Sequence, residues 1–323
     1  MTLHRRSLLA APLAVLAAPA LGQGNWPDKP LRFVVPFAPG GNTDAVARVA
    51  AGWLGQALGV SIVIENRGGA GGILGTDVVA KAAPDGTTFG VISIGSVTVS
   101  PAIERLPYEP LRDLAPISLL NTNPLVLVVR QASPLRSVGD VLEAARARPE
   151  QVSYGSSGIG GLMHVSALLL ESLAQVKLLH VPYRGGAPAV TALVAGEVEV
   201  VFANMSDALP QVRGGTLRAL AVTTPRRSAE MPEVPTMAEL GLPGYAVESW
   251  NALFAPAGTP RPIIERLAGL VGRMAQEPEI QRRMAGFGSV AMANTPEEFA
   301  RMLREETALW ADVLKRAGLA RPS

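Results

Sequence analysis

An apolar strand runs into a Pro/Gly elbow and then a helix at Leu31-Arg32-Phe33-Val34-Val35-Pro36-Phe37-Ala38-Pro39-Gly40-Gly41-Asn42-Thr43-Asp44. A turn of this kind aims the first N–H groups of the helix at whatever lies above it. Those donors, with the helix dipole, favour an anion. The chemistry on offer is an anion cradle built from backbone. A plain strand-to-helix turn uses Gly and Pro for the same steric reasons, and on these residues the two readings stand level. Thr43 or Asp44 is placed to cap the helix. Gly41 is expected to hold a positive φ where the backbone approaches a ligand.

Four other groupings could do chemistry. Gly69-Ala70-Gly71-Gly72-Ile73-Leu74-Gly75 follows a strand and loosely matches a dinucleotide fingerprint. The acidic residue that should end the next strand is missing: Asp85 precedes that strand and Ser93 ends it. A close-packed turn fits better than a dehydrogenase. Gly155-Ser156-Ser157-Gly158 resembles a nucleophile elbow, but the G-x-S-x-G spacing fails at Ile159. An exported serine hydrolase using Ser156 or Ser157 with His164 or His180 remains the alternative function. Serine hydroxyls and backbone N–H groups holding a ligand anion is the simpler reading, with His164 a hydrogen-bonded structural residue. Arg184, after Val181-Pro182-Tyr183, is either a carboxylate partner or a solvated loop cation. Asn204 could hydrogen-bond a polar ligand. Asp207 either attracts a ligand cation or caps a helix before Ala208.

The elements that position these residues alternate. Strands are predicted at Leu31–Pro36, Ser61–Glu65, Thr88–Ser93, Ile117–Leu120, Leu125–Arg130, Val152–Tyr154, Leu178–Val181, Val198–Phe202, Leu217–Thr223, Tyr245–Glu248 and Ala252–Ala255. Val46, Val49, Ala50, Trp53, Leu54, Ala57 and Leu58 form one helical stripe. Further helices are predicted from about Gly72 to Ala83, from a Ser137 cap to Ala147, from Gly161 to Ala174, and after Ala187. Thr259-Pro260 opens a helix with Pro at its first position, and Thr295-Pro296-Glu297-Glu298 is a capping box before a long amphipathic one. The alternation predicts a mostly parallel sheet with helices on both faces, and ligands in such sheets bind beyond the carboxyl ends of strands. The Gly-rich segments lie at those ends.

Arg5-Arg6, an apolar stretch to Ala18 and small residues at Ala18, Ala20 and Gly22 read as a secretory signal peptide, residues 1–22. The arginine pair leaves the general secretory and twin-arginine routes both open. Cleavage would lower Lys+Arg from 29 to 27, against 27 Asp+Glu. The mature chain is then neutral, and without a basic stripe nucleic acid is excluded as a partner. The chain has no cysteine, which excludes disulfides and thiolate chemistry, and 3 histidines, of which His4 leaves with the leader. No metal or cofactor is expected. The roughly 300 residues that remain suit two domains.

Along nearly the whole mature chain the pattern resembles the Bug family, the extracytoplasmic solute receptors of tripartite tricarboxylate transporters. The resemblance is carried by Trp26-Pro27-Asp28-Lys29-Pro30, Val35–Gly41, Asp44 with Ala47-Arg48, Glu65–Gly72, Ala83-Pro84-Asp85-Gly86, Tyr154–Gly158, His180-Val181-Pro182-Tyr183, Leu217–Thr223, Val234-Pro235-Thr236 and Ala255–Pro260. It implies an α/β, two-domain periplasmic binding protein of the Venus-flytrap type II, each domain a sheet flanked by helices. Domain 1 would comprise residues 24–123 and 248–323, domain 2 residues 124–247. The implied function is not enzymatic. It is capture of a small carboxylate (a di- or tricarboxylate, an amino acid or an aromatic acid) in the interdomain cleft, by a monomer that serves inner-membrane transporter subunits. In the family the first loop acts largely through backbone and bridging water. That carries ligand binding to Phe37, Pro39, Gly40, Gly41 and Asn42, and across the cleft to Ser156, Ser157, Gly158, Gly160 and Asn204. Ser93 and Asp207 complete the candidate set. The family often has Asp-Asn-x-Pro-Ser where this chain has Ala203-Asn204-Met205-Ser206-Asp207. An acid in place of a small hydroxyl would repel a second carboxylate and favour an amino group.

Overall fold

The computed structural model describes residues 26–316 and 318–321, so the expected leader lies outside the described residues. The strands are β1 Leu31–Val35, β2 Ile62–Asn66, β3 Thr88–Ser93, β4 Leu114–Arg130, β5 Ser153–Ser156, β6 Leu179–Pro182, β7 Val200–Asn204, β8 Leu217–Val222, β9 Glu248–Pro256 and β10 Val290–Ala291. The helices are α1 Asn42–Leu58, α2 Ile73–Ala80, α3 Ser100–Ile103, α4 Pro110–Asp113, α5 Val138–Ala147, α6 Leu162–Ala174, α7 Gly186–Ala195, α8 Met205–Arg213, α9 Arg261–Gln276, α10 Pro278–Ala285 and α11 Pro296–Arg316.

Two sheets share one strand. The first runs β2-β1-β3-β9-β4, with β10 also on β4. The second runs β8-β4-β7-β5-β6. β4 pairs with β9 from Leu114 to Pro124, then with β7 and β8 from Leu125 onward. The sheets are mixed rather than mostly parallel. β1, β2 and β3 are parallel, as are β5, β6 and β7, but every pairing of β4 or β9 is antiparallel. The reason is that β4 and β9 run through the middle of the molecule side by side in opposite directions.

Period-two alternation sorts β1 between two cores. Leu31, Phe33 and Val35 pack with α1 and α9 residues such as Leu54 and Leu267, whereas Val34 packs with Val79 and Ile92 on the other face. The α1 stripe is buried at Val46, Val49, Ala50 and Leu54, while Ala57 is exposed. Fully burying a side chain such as Leu54 contributes about 1.5–3 kcal/mol. Gly59 ends the helix in the left-handed region, φ 72°. Local signals place other ends: Ser137 and Asp140 form the reciprocal capping box of α5, and Thr295 with Glu298 does so for α11.

Four expectations need correction. Ile117–Leu120 and Leu125–Arg130 are parts of one strand, because the polar Asn121-Thr122-Asn123 between them is ladder and not loop. Tyr245 is not strand: its N–H closes a turn on Leu242 and its buried hydroxyl donates to the Ser166 carbonyl at 2.6 Å. Pro260 is the N-cap of α9 and not its first residue. Neither Thr43 nor Asp44 caps α1, whose N-cap is Gly41 without a side-chain bond.

Candidate functional site

The elbow after β1 is built by Asp44 and Asn66. The buried Asp44 carboxylate accepts from the Gly40 N–H at 3.0 Å, Arg48 Nε at 2.8 Å and Asn66 Nδ2 at 3.0 Å. Asn66 Nδ2 also reaches the Phe37 carbonyl at 3.1 Å. Burial alone would raise the Asp44 carboxyl. The Arg48 guanidinium, the Gly40 N–H and the Asn66 amide outweigh it and hold the group below the usual carboxylate range. With Asp44 turned back into the elbow, the start of α1 faces the second sheet, where its Asn42 N–H meets the Asp207 carboxylate. The positive φ belongs to Gly40, at 87°, and not to Gly41, at −85°. A Cβ on Gly41 would meet Ala187 N at 3.6 Å, an ordinary contact, so Gly41 is not sterically obligatory.

Opposite the elbow, a cavity of about 30 Å³ is lined by Phe37, Gly41, Asn42, Thr43, Ser93 and Ser249 on one side and by Ser157, Leu162, Met163, Gly186, Asn204 and Asp207 on the other. That space holds one or two water molecules. The first residues of α1, α6 and α7 and the N-cap of α8 all face it, and none of the four helices has a side-chain cap. At α8 the Met205 N–H is taken by Asn123 Oδ1 and at α1 the Asn42 N–H by the Asp207 carboxylate, which leaves the starts of α6 and α7 to offer oriented donors, while all four dipoles put partial positive charge around the cavity. No Lys, Arg or His lines it among the described residues. A larger surface groove, about 630 Å³, passes Glu104, Tyr108 and Arg112 and contains none of the sequence-predicted residues.

Seven predicted residues thus meet at the cavity: Phe37, Gly41, Asn42, Ser93, Ser157, Asn204 and Asp207. Asp207 is half-buried within the first turn of α8 and is not its cap. The Asn42 N–H donates to its carboxylate across the cavity, and Asn204 Nδ2 lies 3.4 Å from Oδ2. Burial pushes this carboxyl up to about 6 despite those two donors. A Cβ on Gly186 would stand 2.1 Å from Oδ2, so the carboxylate requires glycine there.

The other five lie outside the lining. Pro39 borders a surface groove with Tyr183 and Pro188, and Gly40 holds the elbow. Gly158, φ 122°, abuts Gly71: a Cβ on Gly158 would stand 2.4 Å from Gly71 N. Gly160 packs against Ser100 and Glu104. Ser156 is fully buried, its Oγ 2.6 Å from His180 Nε2 and 3.1 Å from the Gly158 N–H. His180 stacks on His164 at 4.1 Å and on Tyr154 at 4.9 Å, and His164 Nδ1 accepts from the Gly160 N–H at 3.2 Å. The geometry speaks against the hydrolase alternative: Ser156 is closed to solvent, the histidine bond goes to Ser156 and not to Ser157, and among the described residues no carboxylate bonds either ring. The cluster braces the loop before α6. Arg184 is an exposed loop side chain, and its carbonyl accepts from the Ala38 N–H at 3.0 Å.

Burial pushes His164 down to about 3, with His180 beside it adding to the effect, and burial lowers His180 to about 4. Both rings are therefore neutral in the folded chain at pH 5, where an unfolded histidine is charged. At these two sites the unfolded state then binds more protons, so their contribution to stability is undiminished above pH 6.5 and falls as pH drops below it. For His164 the loss is about 2 kcal/mol by pH 5. Between pH 7 and pH 5 the thermal midpoint of the wild type is expected to drop relative to that of His164→Gln, because the variant lacks this contribution. A midpoint equally pH-dependent in His164→Gln would place the acid sensitivity elsewhere.

Sequence reasoning missed Thr43 as a lining residue, and also Ser249, Leu162, Met163 and Gly186. It also missed the buried polar chain behind them. Thr43 Oγ1 donates to Asn251 Oδ1 at 2.7 Å, and Asn251 Nδ2 donates to Asn121 Oδ1 at 2.9 Å. Asn121 Nδ2 and Asn123 Nδ2 donate to Ser289 Oγ at 3.0 and 2.7 Å, and Asn123 Oδ1 receives the Met205 N–H at 3.0 Å. The chain links the start of α1 to the start of α8 through the crossing strand β4. A recurrence of Asn on one strand face, at 121 and 123, was the available signal.

Known proteins match this chain in sequence and in fold. The Tripartite tricarboxylate transporter family receptor family matches residues 46–319. Protein BugT of Bordetella pertussis is 36% identical over 308 residues, 94% of this chain and 94% of that protein. R. palustris Rpa4515 with adipate superposes with a TM-score of 0.88 at 34% identity, covering 91% of this chain and 99% of that one. MatC from Rhodopseudomonas palustris with bound malate does so with 0.86 at 35% identity, covering 90% and 100%. The fold is that of the periplasmic binding proteins, α/β with helix-flanked sheets, and the family is one of solute-binding receptors and not of enzymes. With matches along nearly its full length and a cavity ringed by helix starts, this chain belongs to the tripartite tricarboxylate transporter receptor family.

Proposed function

We propose that the mature chain is a periplasmic receptor that captures a small carboxylate between two lobes and presents it to inner-membrane transporter subunits. The observation that carries the reading is the convergence of four helix starts, those of α6 and α7 with no side-chain acceptor, on one cavity that no cation lines among the described residues. Such a cavity holds an anion by oriented N–H groups and dipoles. Similar proteins have been solved with adipate and with malate bound. The leader read from the sequence supports export.

In this reading residues 24–123 and 248–323 form one lobe and residues 124–247 the other, joined through β4 and the start of β9. The protein works as a monomer. A space of about 30 Å³ is too small for a solute of malate's size, so the lobes part to admit one. Asn42, Ser93, Ser157 and Asn204 meet the ligand directly or through water. Ser156, Gly158 and Gly160 shape the closing loop, and Pro39 and Gly40 shape the elbow.

The test is a thermal-shift screen of the mature protein against small carboxylates, followed by mass spectrometry of the ligand. At a hundredfold excess over Kd, binding to the native state alone is expected to add about 2.7 kcal/mol of stability. The ligand should be recovered unchanged. Its chemical conversion would overturn the receptor reading.

A further inference from the structure

The charge in the cleft is one-sided. Among the described residues lining the cavity, Asp207 is the sole ionisable side chain. Its two donors, the Asn42 N–H and the Asn204 amide, are neutral. The nearby Arg48 is engaged by Asp44, and Arg184 is an exposed loop residue. Asp207 is also fixed in place. It lies in the first turn of α8, whose own start is bonded to Asn123, and its carboxylate rests against Gly186 with no room for a Cβ between them. A carboxylate half withdrawn from water, with neutral donors and no counter-charge, lacks the partner that buried charges ordinarily have.

We infer that Asp207 sets the specificity of the cleft by taking the protonated amino group of a ligand whose carboxylate is held by the helix starts. The inference rests on the carboxylate-receptor reading above and narrows it to amino-group-bearing acids. An ammonium supplies the missing counter-charge and brings its own donors to the carboxylate. A second ligand carboxylate at the same place would face Asp207 with like charge.

The test is calorimetry with pairs that differ only in the amine: L-aspartate against succinate, L-glutamate against glutarate, and γ-aminobutyrate against butyrate. In the wild type at least one amine-bearing member is expected to bind tenfold or more tightly than its partner. Asp207→Asn keeps the shape and removes the charge, and Asp207→Ser removes both. Each should bring that ratio to within about threefold, with the amine-free acid gaining and the thermal midpoint of the ligand-free protein little changed. A wild type that prefers succinate or glutarate overturns the inference and leaves the receptor reading standing. So does a ratio unmoved in both variants, or proton uptake on dicarboxylate binding, seen by repeating the titrations in buffers of different ionisation enthalpy. If no carboxylate of either kind binds, the receptor reading itself fails.

Discussion

Replacing Asn251 with leucine is expected to destabilise the protein by about 3 kcal/mol. Asn251 is fully buried at the centre of β9, where its side chain accepts from Thr43 at 2.7 Å and donates to Asn121 at 2.9 Å. Leucine nearly conserves the volume and removes both bonds. The Thr43 hydroxyl then loses its acceptor. The Asn121 carbonyl keeps only the longer bond from the Asn251 backbone N–H, 3.2 Å. Each buried polar group left without a partner costs about 1–3 kcal/mol; here the Thr43 hydroxyl loses its acceptor and the Asn121 carbonyl loses the shorter of its two donors. The measurement is urea unfolding, in which the midpoint should fall with the slope unchanged. A loss under about 1 kcal/mol would show that these groups find other partners and that the polar chain is not cooperative.

Gly71→Ala is expected to separate binding from folding. At φ 60° the residue sits in the left-handed region, which alanine enters at a cost of about 1 kcal/mol. The larger effect lies at the facing loop after β5. An alanine Cβ would stand 2.2 Å from the Ile159 carbonyl oxygen and 2.9 Å from Gly161 N, both backbone atoms that cannot rotate aside. The loop after β2 and the loop after β5 could then no longer meet. We expect ligand affinity to fall at least a hundredfold, about 2.7 kcal/mol, against a stability loss near 1 kcal/mol. Calorimetry with the best carboxylate and a thermal melt of the same sample give both numbers. Unaltered affinity would show that the contact of these loops is not required for ligand capture.

What the sequence shows and what it hides divide by distance along the chain. The capping boxes at Ser137/Asp140 and Thr295/Glu298, the stripe of α1 and the limits of β3 are local, and local propensity reads them. The elbow was legible as a turn that could hold an anion. Whether its donors were free depended on where Asp44 turned, and that depended on Asn66 and Arg48. Asn121-Thr122-Asn123 looked like a break between strands because polar residues cluster in loops. They are buried because their partners come from far away, Ser289 some 166 and 168 residues on. Thr43 finds Asn251 208 residues later. Ser249, Leu162 and Met163 at the cavity were likewise unreadable, since their placement depends on how two sheets face each other. For Asp207, sequence left a ligand partner and a helix cap equally open. The structure puts it at the cavity because α8 begins at Met205 and not after Asp207.

The position of β9 between β3 and β4 has a consequence for how the chain is made. The second sheet draws its strands from Leu125 to Val222, one continuous stretch, and can complete as that stretch emerges. The first sheet cannot. Its members β1, β2 and β3 and the first half of β4 are synthesised early, yet the strand that joins β3 to β4 starts only at Glu248. Until then two long apolar edges lack their partner, and unpaired edges invite association with other chains. Contacts of such sequence separation also form slowly, because the loop between them must close first. The segment made second is therefore the one that can fold first, and the beginning of the chain waits for its last quarter.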